Sequence, residues 1–320
     1  MRIVIIGGTG HIGTYLVPRL VMAGHEVVSV TRQIRKPYTS HSAWKSVKQV
    51  MLDRVEADKK NNFGKQICKL SPDAVIDMIS FDPESAKSLA ESLHGKVQHF
   101  LHCGTIWVHG HSEVVPTDEF QCRKPFGDYG LKKEAIESWL LSFSRQTGFP
   151  VTILHPGHIV GPGWIPLNPA GNFNPEVFRK LAEGEEISLP NLGMETVHHV
   201  HADDVAQGFM KALNNRSCAL GESFHIVSAR ALTLRGFAMA MATWFGQEAR
   251  LSFLPWEQWK KTVSENDADA TWDHIAHSPN CSIEKAKRLL NYFPRYTSLE
   301  AVQESVKYML EKQLIRNNPH

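Results

Sequence analysis

Tyr129 and Lys133 stand four residues apart, so on a helix they share one face. That spacing has a chemical use. A tyrosine hydroxyl titrates near pH ~10, too high for proton exchange at neutral pH, and a cation beside it lowers the value. A tyrosine with a lysine one turn later can then pass a proton to or from a substrate hydroxyl or ketone. Upstream, Thr105 lies just past the expected strand Gln98–Cys103, where its hydroxyl can polarise the same oxygen. Tyrosine and lysine at this spacing are common in helices, so the pair gains meaning only from the elements that hold it.

The stretch Arg2-Ile-Val-Ile-Ile-Gly-Gly-Thr-Gly-His-Ile-Gly13 opens the chain. Four consecutive apolar residues, Ile3 to Ile6, read as a strand buried on both faces, as in a parallel sheet. Gly7, Gly10 and Gly13 follow in the spacing G-x-x-G-x-x-G, which differs from the general G-x-G-x-x-G fingerprint. Glycines at a strand exit permit a tight turn and close backbone approach to a pyrophosphate. The helix expected after them, through Tyr15, Leu16, Arg19 and Leu20, presents its positive end to that phosphate.

Further strands are expected at Glu26–Val30, Lys48–Leu52, Ala74–Ile79, Gln98–Cys103 and Val151–Leu154, with helices near Asn61–Leu70, Glu84–Leu93 and Tyr129–Phe143. Alternating strands and helices predict an α/β chain with a Rossmann-type doubly wound parallel sheet. Asp128 is placed to cap the Tyr129 helix. Short strands are expected at Ile187–Leu189, His198–Val200 and Phe224–Val227, and helices over Asp203–Leu213, Thr233–Trp244, Ile283–Leu290 and Leu299–Glu311. Gly157–Pro175 reads as a long functional loop. Ser264–Asn280 is polar and gives no clear element.

The end of the second strand decides the cofactor. A carboxylate there suits the ribose hydroxyls of NAD, whereas arginine suits the 2′-phosphate of NADP. Here Thr31 is followed by Arg32, Arg35 and Lys36, which predicts NADP, with NAD as the alternative. Asp53 after the third strand can meet the adenine edge or cap the next turn.

Composition narrows the classes. Of the 320 residues 42% are apolar and 21% charged, which are globular values. A net charge of +2 gives no composition-level argument for nucleic acid or an anionic membrane. Five scattered cysteines without a C-x-x-C suit reduced thiols rather than a disulfide framework. No run approaches the roughly 18 apolar residues of a membrane span, and the N-terminus lacks a signal-peptide pattern. A soluble cytoplasmic protein is expected.

Gly7/Gly10/Gly13, Thr105 within Cys103-Gly-Thr-Ile-Trp-Val-His-Gly110, and Tyr129-x-x-x-Lys133 together resemble an extended short-chain dehydrogenase/reductase. The resemblance continues through Leu154-His-Pro-Gly-His-Ile-Val-Gly-Pro-Gly163, Gly184–Pro190, His201-Ala-Asp-Asp-Val-Ala206 and Ser282–Lys287, and so covers nearly the whole chain. It points to the NAD(P)-dependent nucleotide-sugar epimerase/dehydratase superfamily. The resemblance implies a Rossmann domain over residues 1–160, with returns around 197–228. A smaller mixed α/β C-terminal substrate domain would comprise 161–196 and 229–320. It also implies hydride transfer between a nicotinamide and a sugar-like secondary alcohol or ketone, and a homodimer through a helix pair that includes Tyr129–Phe143. Tyr129, Lys133 and Thr105 would then be catalytic. Gly7, Thr9, Gly10, His11, Ile12, Gly13, Arg32, Arg35, Asp53, Lys133 and His155 would meet cofactor, and Trp107, His109, His158 and Asn174 substrate.

The departures are specific. Where the sugar-nucleotide 4,6-dehydratases carry an Asp-Glu pair after the threonine, this chain has Ile106 and Trp107, so dehydration is not expected. The family's Tyr in V-Y-G is His109, and its polar positions downstream are His155 and His158. The usual diphosphate-contacting Arg before the H-V-D-D segment corresponds to Val197. The second half also resembles a chloroplast stem-loop RNA-binding branch of the superfamily, which leaves a catalytically silent binding protein as the rival reading. Near-neutral charge and the intact Thr/Tyr/Lys set argue against it. His198, His199 and His201 resemble a metal site, but on a strand His198 faces away from the other two, and no metal is expected.

Overall fold

In a computed structural model, which describes residues 1–33 and 35–315, the first six strands are β1 (Arg2–Ile6), β2 (Glu26–Thr31), β3 (Lys48–Met51), β4 (Ala74–Asp77), β5 (His99–Cys103) and β6 (Val151–Pro156). With Glu222–Ile226 they form one seven-stranded parallel sheet. The spatial order is Glu222–Ile226, β6, β5, β4, β1, β2, β3. The chain order reverses between β1 and β4, and a crevice opens at the strand ends there.

Strand parity explains the two layers. Ile3 and Ile5 of β1 pack with Leu16, Val17 and Leu20 of helix α1 (His11–Met22) and with Val205 and Phe209. Val4 and Ile6 point the other way, to helices α3 (Phe63–Cys68), α4 (Pro83–Leu93) and α5 (Gly127–Thr147). Alternate residues of an all-apolar strand therefore feed both cores, as the sequence pattern requires. α2 (Arg54–Asp58) is a single short turn after β3.

A third core joins Leu167, Phe178, Leu189, Phe237, Trp259 and Val302. Around it run the parallel pairs Ile187–Pro190 with Leu251–Leu254 and His158–Val160 with His199–His201, and helices such as Leu234–Trp244 and Ser298–Glu311. Two expectations change. Asp128 does not cap α5: Phe126 is the N-cap and Asp128 lies in the first turn, paired with Lys132. The ambiguous polar stretch contains a 13-residue helix, Glu265–His277, capped by Ser264. No helix is long and apolar enough to cross a membrane among the described residues.

Candidate functional site

The glycine turn forms the floor of the crevice. Gly7 takes φ +89°, its amide donates to the Val30 carbonyl at 2.9 Å, and the Gly10 amide donates to the Gly7 carbonyl at 3.1 Å. A Cβ on Gly7 would lie 2.7 Å from Ile79 Cγ2, and one on Gly13 only 1.9 Å from the Gly8 oxygen. Side chains are excluded at both positions. α1 starts immediately after, with no side-chain cap and no acid in its first turn. Its free N–H groups and positive dipole end suit an anion, so these residues fit a pyrophosphate.

Two cavities meet at this turn, and Gly7 and Gly10 border both. The first, about 680 Å³, is lined by Thr31, Arg32, Arg35, Lys36, Asp53 and Arg54 among others. Arg32, Arg35 and Lys36 are exposed there. Arg54, which the sequence does not single out, is committed elsewhere: its guanidinium holds both oxygens of buried Asp77 at 2.9 Å. Asp53 accepts from the Glu56 amide at 3.2 Å and caps α2 while also lining the cavity. Across the junction Trp164 donates to the Tyr38 hydroxyl at 2.7 Å, and the His11 ring lies tilted against Trp164 at 4.2 Å.

The second cavity, about 720 Å³, brings together His11, Ile12, Thr105, Trp107, Tyr129, Lys133, His158 and His274. Tyr129 and Lys133 enter from the first turns of α5, and Thr105 from the turn that follows β5. Although 41% of Tyr129 is accessible, its ring sits against Trp107 (5.8 Å) and Phe81 (6.4 Å). Desolvation there pushes the hydroxyl up to about 12, the Cys103 thiol adds to the rise, and the Thr105 hydroxyl opposes it. The expected lowering by Lys133 is not what the geometry gives. The lysine Nζ is buried, donates to the carbonyls of Ser80 (2.7 Å) and Cys103 (2.8 Å), and lies 6.0 Å from the Tyr129 ring centre. Burial lowers its own pKa, partly offset by Cys103 and Asp77.

His158 and Trp107 line this cavity as expected, but three other expectations fail. His155 faces the α5 side of the sheet, where its Nε2 meets Glu137 at 2.5 Å; it lies in the core and meets no cofactor crevice. His109 is buried and bonded to His225 (Nε2 to Nε2, 2.7 Å). Asn174 lines a separate cavity of about 480 Å³ and donates to Asp267 at 3.1 Å. Conversely His274 and Asp273, from the helix whose polar sequence concealed it, border the second cavity.

The histidines of the 198–201 segment do not converge. His198 bonds the Ser228 carbonyl, His199 the Leu167 carbonyl, and His201 caps the next helix and pairs with Glu304. One cluster that the sequence did not suggest does converge: His109, His155 and His225 bring ligand-type nitrogens within 4.8 Å of one another. Here they bond each other, Glu137 and the Ser282 carbonyl. Burial alone would raise the Glu137 carboxyl, but His155 and Arg123 outweigh it and hold it low. Removing one member of a buried charge network strands the others. Glu137→Ala is therefore expected to lower stability by about 3 kcal/mol, read as a reduced urea midpoint.

The Arabidopsis thaliana chloroplast stem-loop binding protein of 41 kDa b is 28% identical over 95% of this chain and 78% of its own length. A dTDP-4-dehydro-6-deoxy-D-allose reductase of Streptomyces bikiniensis is 23% identical over 66% of this chain and 72% of its own. The crystal structure of a Bacillus cereus UDP-glucuronic acid 4-epimerase, in complex with UDP-glucuronic acid and NAD, superposes with a TM-score of 0.72. It shares 19% identity and the match covers 98% of this chain and all of that one. The model of the NAD dependent epimerase/dehydratase family matches residues 3–226. With the glycine cradle and the Thr105, Tyr129 and Lys133 triad in one crevice, that match over most of the chain places it in the NAD dependent epimerase/dehydratase family.

Proposed function

We propose that the protein is an NADP-preferring reductase or epimerase acting on a sugar-like secondary alcohol or ketone. The observation that carries the reading is the meeting of Thr105, Tyr129 and Lys133 in a cavity continuous with the glycine turn. The nicotinamide supplies or accepts the hydride at the substrate carbon. In the reducing direction the Tyr129 hydroxyl gives its proton to the carbonyl oxygen, which becomes the product alcohol, and the tyrosinate is reprotonated from solvent. Thr105 donates a hydrogen bond to the same oxygen and so polarises it. Lys133, one turn along, would anchor the cofactor ribose.

The first cavity supports the cofactor choice. Arg32, Arg35 and Lys36 crowd the end that would take the adenosine, with no carboxylate at Thr31. Arg32→Ala is expected to weaken NADPH binding by about 10–100-fold, the worth of one charge-assisted hydrogen bond, while NADH binding stays nearly level. Fluorescence titration with both dinucleotides measures it, and equal loss for both would remove Arg32 from the 2′-phosphate site. Epimerase and reductase share this machinery. An epimerase keeps its cofactor through turnover, so mass spectrometry of the purified protein separates the two.

A further inference from the structure

The walls of the catalytic cavity restrict what can enter it. Trp107, Phe173, Trp164 and Ile165 line it beyond Tyr129. Trp107 is fixed by stacking on His277 (4.1 Å, 15° between planes) and by its edge contact with His274 (5.3 Å). Phe173 lies 5.4 Å from His158 and 5.6 Å from His274. Such flat faces suit a ring.

The polar groups in the cavity are as telling. Among the described lining residues the one cation is Lys133, and its ammonium is engaged by two backbone carbonyls. The others include the Tyr129 and Thr105 hydroxyls, the three imidazoles of His11, His158 and His274, and the exposed carboxylate of Asp273. Burial keeps all three imidazoles uncharged: His158 sits well below its ordinary value, and His11 and His274 fall to about 4. His274 donates from Nδ1 to the Ala270 carbonyl at 2.6 Å, which leaves Nε2 free to accept from a ligand hydroxyl.

Among the described residues that line this cavity, none offers a diphosphate a free counter-charge. The separate 480 Å³ cavity carries Glu176, Glu186 and Asp267 against Lys180. The helices that begin beside it, at Glu176 and Glu265, already hold acids in their first turns. A phosphate needs cationic forks or uncapped helix N-termini, and burying one without them is expensive. The uncapped start of α1 serves the pyrophosphate of the cofactor.

We infer that the substrate is an uncharged, phosphate-free ring compound, a sugar-like alcohol or ketone carrying no nucleotide diphosphate. Its flat face rests on Trp107 and Phe173, and its hydroxyls meet His158, His274 and Asp273. This inference rests on reading the cavity as the site of hydride transfer.

Calorimetric titration of the NADPH-saturated protein tests it, using phenyl glycosides of the common hexoses and the matching UDP-hexoses. At least one phenyl glycoside is expected to bind, at least tenfold more tightly than its UDP-hexose. Trp107→Ala should weaken that glycoside tenfold or more and Asp273→Asn several-fold, with NADPH affinity unchanged in both. Asp273 is exposed, so its variant reports even if the Trp107 variant folds poorly. Tighter binding of a UDP-hexose, or binding of no glycoside, overturns the inference. In either case retained NADPH binding leaves the oxidoreductase reading standing, whereas absence of NADPH binding defeats that reading itself.

Discussion

Tyr129→Phe is expected to cut turnover of any ketone the wild type reduces by about 10²–10⁴-fold, the usual worth of a positioned proton donor, while leaving NADPH affinity nearly unchanged. The substitution removes one oxygen from a ring held by Trp107 and Phe81, so packing survives and the effect falls on kcat. The pH dependence carries a second signature. Burial pushes the Tyr129 hydroxyl up to about 12 in the cofactor-free protein, which keeps it protonated through the neutral range. Reduction should therefore hold its rate across neutral pH. Oxidation needs the tyrosinate, and its rate should climb as pH rises. A positively charged oxidised nicotinamide, when bound near Tyr129, would lower the hydroxyl's pKa and move that climb toward neutrality. Steady-state rates in both directions between pH 6 and 10 measure this on the wild type, with the Phe variant as the baseline. A Phe variant with wild-type turnover would exclude Tyr129 as the proton donor.

The second large effect is acid unfolding. His11, His99, His109, His198, His199, His274 and His277 are all buried, and desolvation lowers each from 6.5 to about 3 or 4. The folded values lie below the unfolded ones. Their contribution to stability is therefore complete above pH 6.5 and is lost as pH falls from there toward the folded values, because the unfolded chain takes up protons first. Each such group costs about 1.4 kcal/mol per pH unit in that window. Two or three already remove a large part of a net stability of roughly 5–15 kcal/mol. The low Glu137 carboxyl adds to the loss at still lower pH, whereas Glu119 and Asp204, raised by burial, act against it. Thermal melts from pH 7.5 to 5 should show a steep fall in Tm that begins near pH 6.5. A flat profile would mean that these imidazoles take up protons in the folded state.

The parts legible in the sequence are those with strong, one-dimensional patterns. β1 declares itself through four apolar residues entering glycines, and α5 through Ile136 and Leu140 repeating on a face that carries Lys133. The helix Glu265–His277 was hidden because its solvent side bears Glu265, Asp267 and Asp269, while its buried side uses the weakly apolar Ala268 and Thr271. Yet it brings His274 and Asp273 to the cavity. The strand Leu251–Leu254 is short and half-buried, with too little alternation to register.

His155 was misplaced although a usable signal existed. Alternation on β6 puts it with Ile153, under α5, and opposite in facing to Leu154. Its partner His225 faces it across the Glu222–Ile226 register, a pairing that requires knowing which strands are neighbours. Asn174 failed for a different reason. Its loop folds back on itself, and the side chain closes a turn onto Glu176 instead of reaching the crevice.

Titration of the purified protein with NADPH, followed by the change in nicotinamide fluorescence after removal of any co-purified dinucleotide, tests the central claim most directly. The account predicts saturable binding of one NADPH per chain, displaced by NADP⁺ and weakened by Arg32→Ala. Absence of binding by both NADPH and NADH, or binding unaffected by a bulky residue at Gly13 in a folded variant, would contradict it.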